Sequence, residues 1–87
     1  MALNYCVYVP NAPRKSLKKI PLPWQVRILD VLTTLKNNPY LGDKMQGEYS
    51  DRRKIRVWPY RIIYMVYEDA KIIRIMEIKR RGDVSYD

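Results

Sequence analysis

Eighty-seven residues allow one domain, residues 1–87, whose folding removes about 60–65% of the chain's surface from water. With 47% hydrophobic and 30% charged residues the composition is globular, the net charge is +8, and there is no histidine. These figures exclude a disordered chain and chemistry built on histidine and leave little material for a deep substrate pocket; the lone Cys6 excludes an internal disulfide, and no run nears the ~20 apolar residues of a bilayer span.

In chain order, Leu3 to Val9 is rich in strand formers, with Tyr5, Val7 and Val9 on one face. Cys6 falls there as a small apolar residue, and the absence of a charged segment followed by an apolar run predicts no secretory signal and a cytoplasmic protein. Pro10 ends the strand. Asn11 is placed to cap a short helix that accepts Pro13 in its first turn and buries Leu17 and Ile20. Pro21 and Pro23 mark a corner. A second helix then runs from Pro23 with Trp24, Ile28, Val31, Leu32 and Leu35 at helical spacing, until Asn37-Asn38-Pro39 stops it. Tyr40 to Ser50, with Gly42 and Gly47 and few apolar residues, reads as a loop.

Residues 52–67 predict two strands around a Trp58-Pro59 loop, a pair compatible with a type VI turn and its cis peptide. A two-residue loop pairs Val57 with Tyr60 and sets Arg56 directly across from Arg61. One face then carries Ile55, Val57, Tyr60, Ile62, Tyr64 and Val66; the other carries Lys54, Arg56 and Arg61, followed by Ile63, Met65 and Tyr67. Like charges directly opposite destabilise a hairpin, so tolerance of the pair points to a bound anion, with phosphate the obvious candidate. Glu68-Asp69-Ala70 turns the chain into a last strand, Lys71 to Lys79; a three-residue turn is preferred because it sets Glu77 beside Arg61 rather than burying it unpaired. The tail from Arg80 shows no pattern. The expected architecture is therefore α+β: an N-terminal strand, a two-helix hairpin on one sheet face, then a three-strand antiparallel meander. Residues 52–81 hold ten Lys or Arg (52, 53, 54, 56, 61, 71, 74, 79, 80, 81) against Glu68, Asp69 and Glu77, a field that attracts phosphate polymers or an acidic partner.

At this point four pieces in order carry a resemblance: Leu17-Lys-Lys-Ile-Pro21; Asn38-Pro39 with Gly42, Lys44 and Gly47; Lys54-Ile-Arg-Val-Trp-Pro-Tyr-Arg-Ile-Ile-Tyr64; and Glu77-Ile-Lys-Arg-Arg-Gly-Asp-Val-Ser-Tyr86. Over nearly the whole chain the sequence resembles the RelE/ParE superfamily, the toxins of type II toxin–antitoxin pairs. The RelE branch cleaves messenger RNA in the ribosomal A site; the ParE branch poisons DNA gyrase. Carried over residue by residue, the resemblance implies catalytic roles for Lys54, Arg56, Arg61, Arg81 and Tyr86. The surrounding basic residues Arg52, Arg53, Lys79 and Arg80 are candidates for RNA binding. It also implies an acidic, partly disordered cognate antitoxin as partner, alongside ribosome and mRNA. Arg80 stands where many relatives carry histidine, and Ser85 reads as an extra residue before Tyr86.

These residues are chemically sufficient for metal-independent RNA cleavage. The 2′-hydroxyl attacks the adjacent phosphorus, and Lys and Arg donors on the phosphate oxygens stabilise the added charge, usually the largest single contribution. A free lysine, with a pKa of ~10.4, is a poor base at neutral pH. Arg52, Arg53 and Arg56 crowd Lys54 in sequence, and cations favour loss of a neighbour's proton, which makes Lys54 the expected base. Arg81 is placed to neutralise the leaving oxygen, and Tyr86 to stack on a base or donate a proton. No metal or other cofactor is expected, since there is no histidine, one cysteine and no close carboxylate pair beyond Glu68-Asp69. Two alternatives stay open: a ParE-like gyrase inhibitor needing no Lys54 chemistry, and a degenerate homologue that only binds antitoxin or RNA.

Overall fold

The computed structural model describes residues 4–81. Prolines open both helices. In α1 (Asn11–Lys18) Pro10 takes the cap position in extended conformation, with no side-chain cap; Asn11, expected as the cap, is the first helical residue. Pro13 is buried in the first turn, where a missing N–H costs no helical hydrogen bond. Lys15 and Lys18 sit in the last turn, favourably placed for the helix dipole. After the Pro21 corner α2 (Leu22–Leu35) buries Ile28, Leu32 and Leu35, with Trp24 and Val31 packed at the margin of the same core. The Gln25 amide donates to Leu17 O at 3.0 Å and ties the two helices together.

The helices cover one face of a five-stranded sheet ordered β1-β5-β4-β3-β2. Its strands are β1 (Cys6–Tyr8), β2 (Asp43–Lys44), β3 (Arg52–Val57), β4 (Tyr60–Tyr67) and β5 (Ile72–Arg80). The last three form the expected meander. β1, shorter than the strand expected from Leu3 to Val9, pairs parallel with β5, and the helical hairpin carries the chain from β1 at one edge of the sheet to β2 at the other. Tyr5 N–H donates to Lys36 O at 3.0 Å and Cys6 N–H to Lys71 O at 2.9 Å, anchoring the entry to β1. Tyr5, Ile62, Tyr64, Ile73, Ile75 and Ile78 meet Ile20, Ile28, Leu32 and Leu35 between the layers. Each fully buried aliphatic side chain contributes about 1.5–3 kcal/mol relative to exposure. Cys6 lies exposed on the opposite face of its strand. No helix among the described residues is long and apolar enough to cross a membrane.

Three local expectations are corrected. Tyr40–Ser50 is not a plain loop: Asp43 and Lys44 pair antiparallel with Lys54 and Arg53, and Gly47–Tyr49 make a 3-10 turn. Neither Asp nor Lys favours strand; the open edge of β3 imposes the conformation. The turn into β5 is longer than three residues, since Tyr67 pairs with Ile72 and Lys71 takes a left-handed conformation at φ 57°. The third correction follows from the second. With that turn, a regular ladder would set Glu77 opposite Ile62 on the core face. A bulge at Met76 absorbs one residue, so Ile75 pairs with Tyr64 but Glu77 pairs with Ile63 and Ile78 with Ile62. Glu77 thus reaches the outer face by a bulge and not by a short turn.

A cationic sheet face as the candidate functional site

The β3–β4 register is the one the sequence predicts, with Val57 opposite Tyr60 and Arg56 opposite Arg61, and the Trp58–Pro59 peptide is cis. β5 extends the pairing: Lys79 lies opposite Arg61, so Arg56, Arg61 and Lys79 stand side by side across three strands. The next row towards the middle of the sheet is Asp43, Lys54, Ile63 and Glu77; the one after is Arg52, Met65, Arg74 and Tyr8. Adjacent rows on one face lie about 6.7 Å apart along the strands.

The charges are unevenly neutralised. Glu77 holds Lys79 at 3.1 Å, and Asp51 approaches Arg52 at 3.9 Å. Among the described residues no carboxylate comes within 4.0 Å of Lys54, Arg56 or Arg61. Arg56 is exposed, while Lys54 and Arg61 are half-buried and on this face border Ile63, which is only 4% exposed although it faces away from the helices. One like-charged row, Arg56, Arg61 and Lys79, with Lys54 beside it and Ile63 as an apolar floor, forms a surface to which an anion binds with its counter-charges already in place.

The other sequence-derived candidates divide by strand parity. Arg52 shares the face of Lys54, with its guanidinium 4.9 Å from the Tyr49 ring. Arg53 points the opposite way: its Nη1 donates to Gly42 O at 2.8 Å, and its guanidinium stacks 4.9 Å from the Tyr40 ring. Arg80 lies opposite Tyr60 at the rim of the helical side, beside Ser16, Lys19 and Ile20. The structure does not bring Arg53 and Arg80 to the cationic face. Arg81 sits at the hairpin tip, where its N–H donates to Pro59 O at 2.7 Å and its guanidinium lies 5.0 Å from the Trp58 ring. Tyr86 lies outside the described residues.

One buried hydroxyl supports the edge of this face. Tyr64 OH accepts from Gly42 N–H at 2.8 Å and donates to Pro39 O at 2.9 Å, pinning the loop before β2 against β3. Burial pushes the Tyr64 phenol above its ordinary range; the Gly42 N–H and Arg53 oppose the shift and Asp43 adds to it. Gly42 is required by proximity: a Cβ there would lie 2.8 Å from Lys54 O and Ile55 Cγ1. Past the end of β2 the same contact leaves a recess of about 400 Å³ lined by Leu41, Gly42, Asp43, Lys54, Ile55 and Arg56. Sequence reasoning missed the contributions of Asp43, Arg74 and Tyr8 to this face. The step from Ile73 and Ile75 to Ile78, which breaks strict alternation, was the one local sign of the bulge that assembles it.

The family model of the ParE toxin of type II toxin–antitoxin systems matches residues 11–84. The chain belongs to the RelE/ParE toxin superfamily. The toxin is similar to the archaeal RelE of the RelE–RelB complex from Pyrococcus horikoshii, at 27% identity over 93% of this chain and 99% of that one, with a TM-score of 0.78. It is similar in fold to the RelBE2 toxin–antitoxin complex from Mycobacterium tuberculosis, at 20% identity and TM-score 0.82 over 90% of this chain and 99% of that one. The isolated E. coli RelE toxin gives 18% identity and TM-score 0.78 over 87% of this chain and 83% of that one. No curated protein matches the toxin in sequence.

Proposed function

We propose that this type II toxin is a metal-independent endoribonuclease that cleaves messenger RNA in the ribosomal A site. One observation carries the reading: Arg56, Arg61 and Lys79 stand in a single cross-strand row beside Lys54, and Lys54, Arg56 and Arg61 lack a carboxylate within 4.0 Å among the described residues. Such a row repels itself until a phosphate lies on it. The substrate's 2′-oxygen attacks phosphorus, the bond from phosphorus to the 5′-oxygen breaks, and the products are a 2′,3′-cyclic phosphate and a 5′-hydroxyl. Arg56 and Arg61 donate to the non-bridging oxygens, where the charge develops. Lys54 takes the 2′-hydroxyl proton, and Arg81 stabilises the departing oxygen while Tyr86 stacks or supplies its proton. Arg52 and Lys79 extend the contact to neighbouring phosphates. DNA, without a 2′-hydroxyl, cannot follow this route. The partner that restrains the toxin is an acidic, partly disordered antitoxin, in keeping with the net charge of +8 and with the antitoxin-bound relatives from Pyrococcus and Mycobacterium. The setting is cytoplasmic, with ribosome and mRNA as targets.

The family model named for ParE favours a second reading, inhibition of DNA gyrase by a protein-binding surface. Induced expression in a bacterial host with 5′-end mapping of messenger RNA separates the two. Codon-phased cuts within reading frames, reduced about 10²–10³-fold by Lys54→Ala or Arg61→Ala, are the expected result. Arrest with DNA-damage signalling and no cuts assigns the toxin to gyrase inhibition. Neither effect from folded protein, in a host without a neutralising antitoxin, leaves a homologue that only binds antitoxin or RNA.

A further inference from the structure

The cationic row occupies only the hairpin end of the outer face. Two rows away the side chains change character. Parallel pairing of β1 with β5 sets Tyr8 beside Arg74, which lies beside Met65, with Arg52 beyond it. The row beyond that holds Tyr67, Ile72 and Cys6. Both tyrosines are open to solvent, Tyr8 at 49% and Tyr67 at 41%, unlike Tyr5 and Tyr64, which are buried in the core on the other face. Each is held by a neighbour. The Arg74 guanidinium lies 5.5 Å from the Tyr8 ring, and Tyr67 OH donates to Met65 Sδ at 3.7 Å. Two exposed rings thus flank a half-buried methionine, with an arginine on either side of it and no carboxylate among the paired residues of the two rows.

We propose that this Tyr8–Arg74–Met65–Tyr67 surface is a base-stacking platform for single-stranded RNA, separate from the phosphate-binding row. Aromatic rings on an open sheet face, interleaved with guanidinium groups, match what an unpaired nucleotide offers: a π face to stack on and a phosphate to neutralise. Arg61 and Met65 are four residues apart on β4, about 13 Å. The nucleotide on the platform is therefore not the one whose phosphate lies on Arg61, but a neighbour further along the same strand of RNA. Lys54 and Ile63, between Asp43 and Glu77, join the two surfaces, and the exposed rings favour RNA over an acidic protein segment as occupant, because RNA brings with each phosphate a base that stacks. The inference rests on reading the cationic face as an RNA site, and it adds where the flanking bases go.

The test uses the full chain and a short fluorescein-labelled oligoribonucleotide, 2′-O-methylated to block cleavage. A counterpart with the same phosphates but abasic central positions serves as the comparison. Tyr8→Ala and Tyr67→Ala are each expected to weaken binding of the base-bearing oligomer by about 5- to 150-fold while leaving the abasic one unchanged. Tyr8→Phe and Tyr67→Phe should bind as wild type, since the ring is retained, and Arg61→Ala should weaken both oligomers. The proposal is overturned by wild-type affinity in the two alanine variants, by equal losses on both oligomers, or by a wild type that does not distinguish them. A loss confined to binding of an acidic peptide would reassign the platform to a protein partner. Ribosomal cutting is scored separately: a wild type that binds through its tyrosines but makes no cuts removes the nuclease reading and leaves the platform.

Discussion

Tyr64 shows how one buried hydroxyl ties stability to the site. It satisfies Gly42 N–H and Pro39 O at once, both on the loop that leads to β2 and the recess beside Lys54. Tyr64→Phe leaves both backbone groups without that partner, and a loss of about 1–3 kcal/mol in denaturant unfolding is expected. The pH dependence has a definite sign. Burial raises the phenol above its ordinary value of 10.0, so the folded state holds the proton more tightly than the unfolded chain does. Its contribution is complete below about pH 10 and falls as pH rises beyond that value towards the folded pKa. Unfolding free energies from pH 8 to 11 should therefore decline more steeply in wild type than in Tyr64→Phe; parallel curves would show that the phenol is not shifted.

At the level of elements the bulge in β5 decides which residues join the site. Ile73 and Ile75 enter the core with Val66 and Tyr64, and the extra residue Met76 then lets Ile78 enter with Ile62 while Glu77 and Lys79 turn outward. A deletion within a strand ordinarily sends every later side chain to the wrong face. Deleting Met76 removes the unpaired residue and keeps Glu77 opposite Ile63, so this variant should still unfold cooperatively in a thermal melt. Deleting Met65 from β4, which carries no extra residue, instead sends one side of that strand to the wrong face, and loss of a cooperative transition is expected. If both deletions melt alike, the bulge does not set the register.

Across the whole molecule cations occupy both layers. Lys54, Arg56, Arg61, Arg74 and Lys79 share the outer sheet face, whereas Arg14, Lys15 and Lys18 lie on α1 in the helical layer. Binding of single-stranded RNA should weaken with salt, each phosphate contact contributing a slope of ~0.7 in the logarithmic plot. Arg61→Ala should lower that slope by about one contact, and Arg14→Ala should leave it unchanged. Equal effects would mean that net charge, and not the face, attracts the RNA.

The hairpin register, the outward placement of Lys54, Arg56 and Arg61, the two helices and the superfamily were all legible in the sequence. Each rests on local information: strand parity has a period of two, a two-residue loop leaves little freedom of register, and proline marks the helix starts. Other features were settled only when distant segments met. Asp43 and Lys44 become a strand because β3 offers a free edge. Tyr8 is set beside Arg74 by parallel pairing with a strand more than sixty residues away. Strand parity turns Arg53 away from the basic cluster, but the partners that hold it there, Gly42 O and the Tyr40 ring, come from a distant loop. Local periodicity states which residues share a face within one element; which elements lie side by side, and where a bulge resets the parity, depends on how the two layers bury Ile28, Leu35, Ile62 and Tyr64 together.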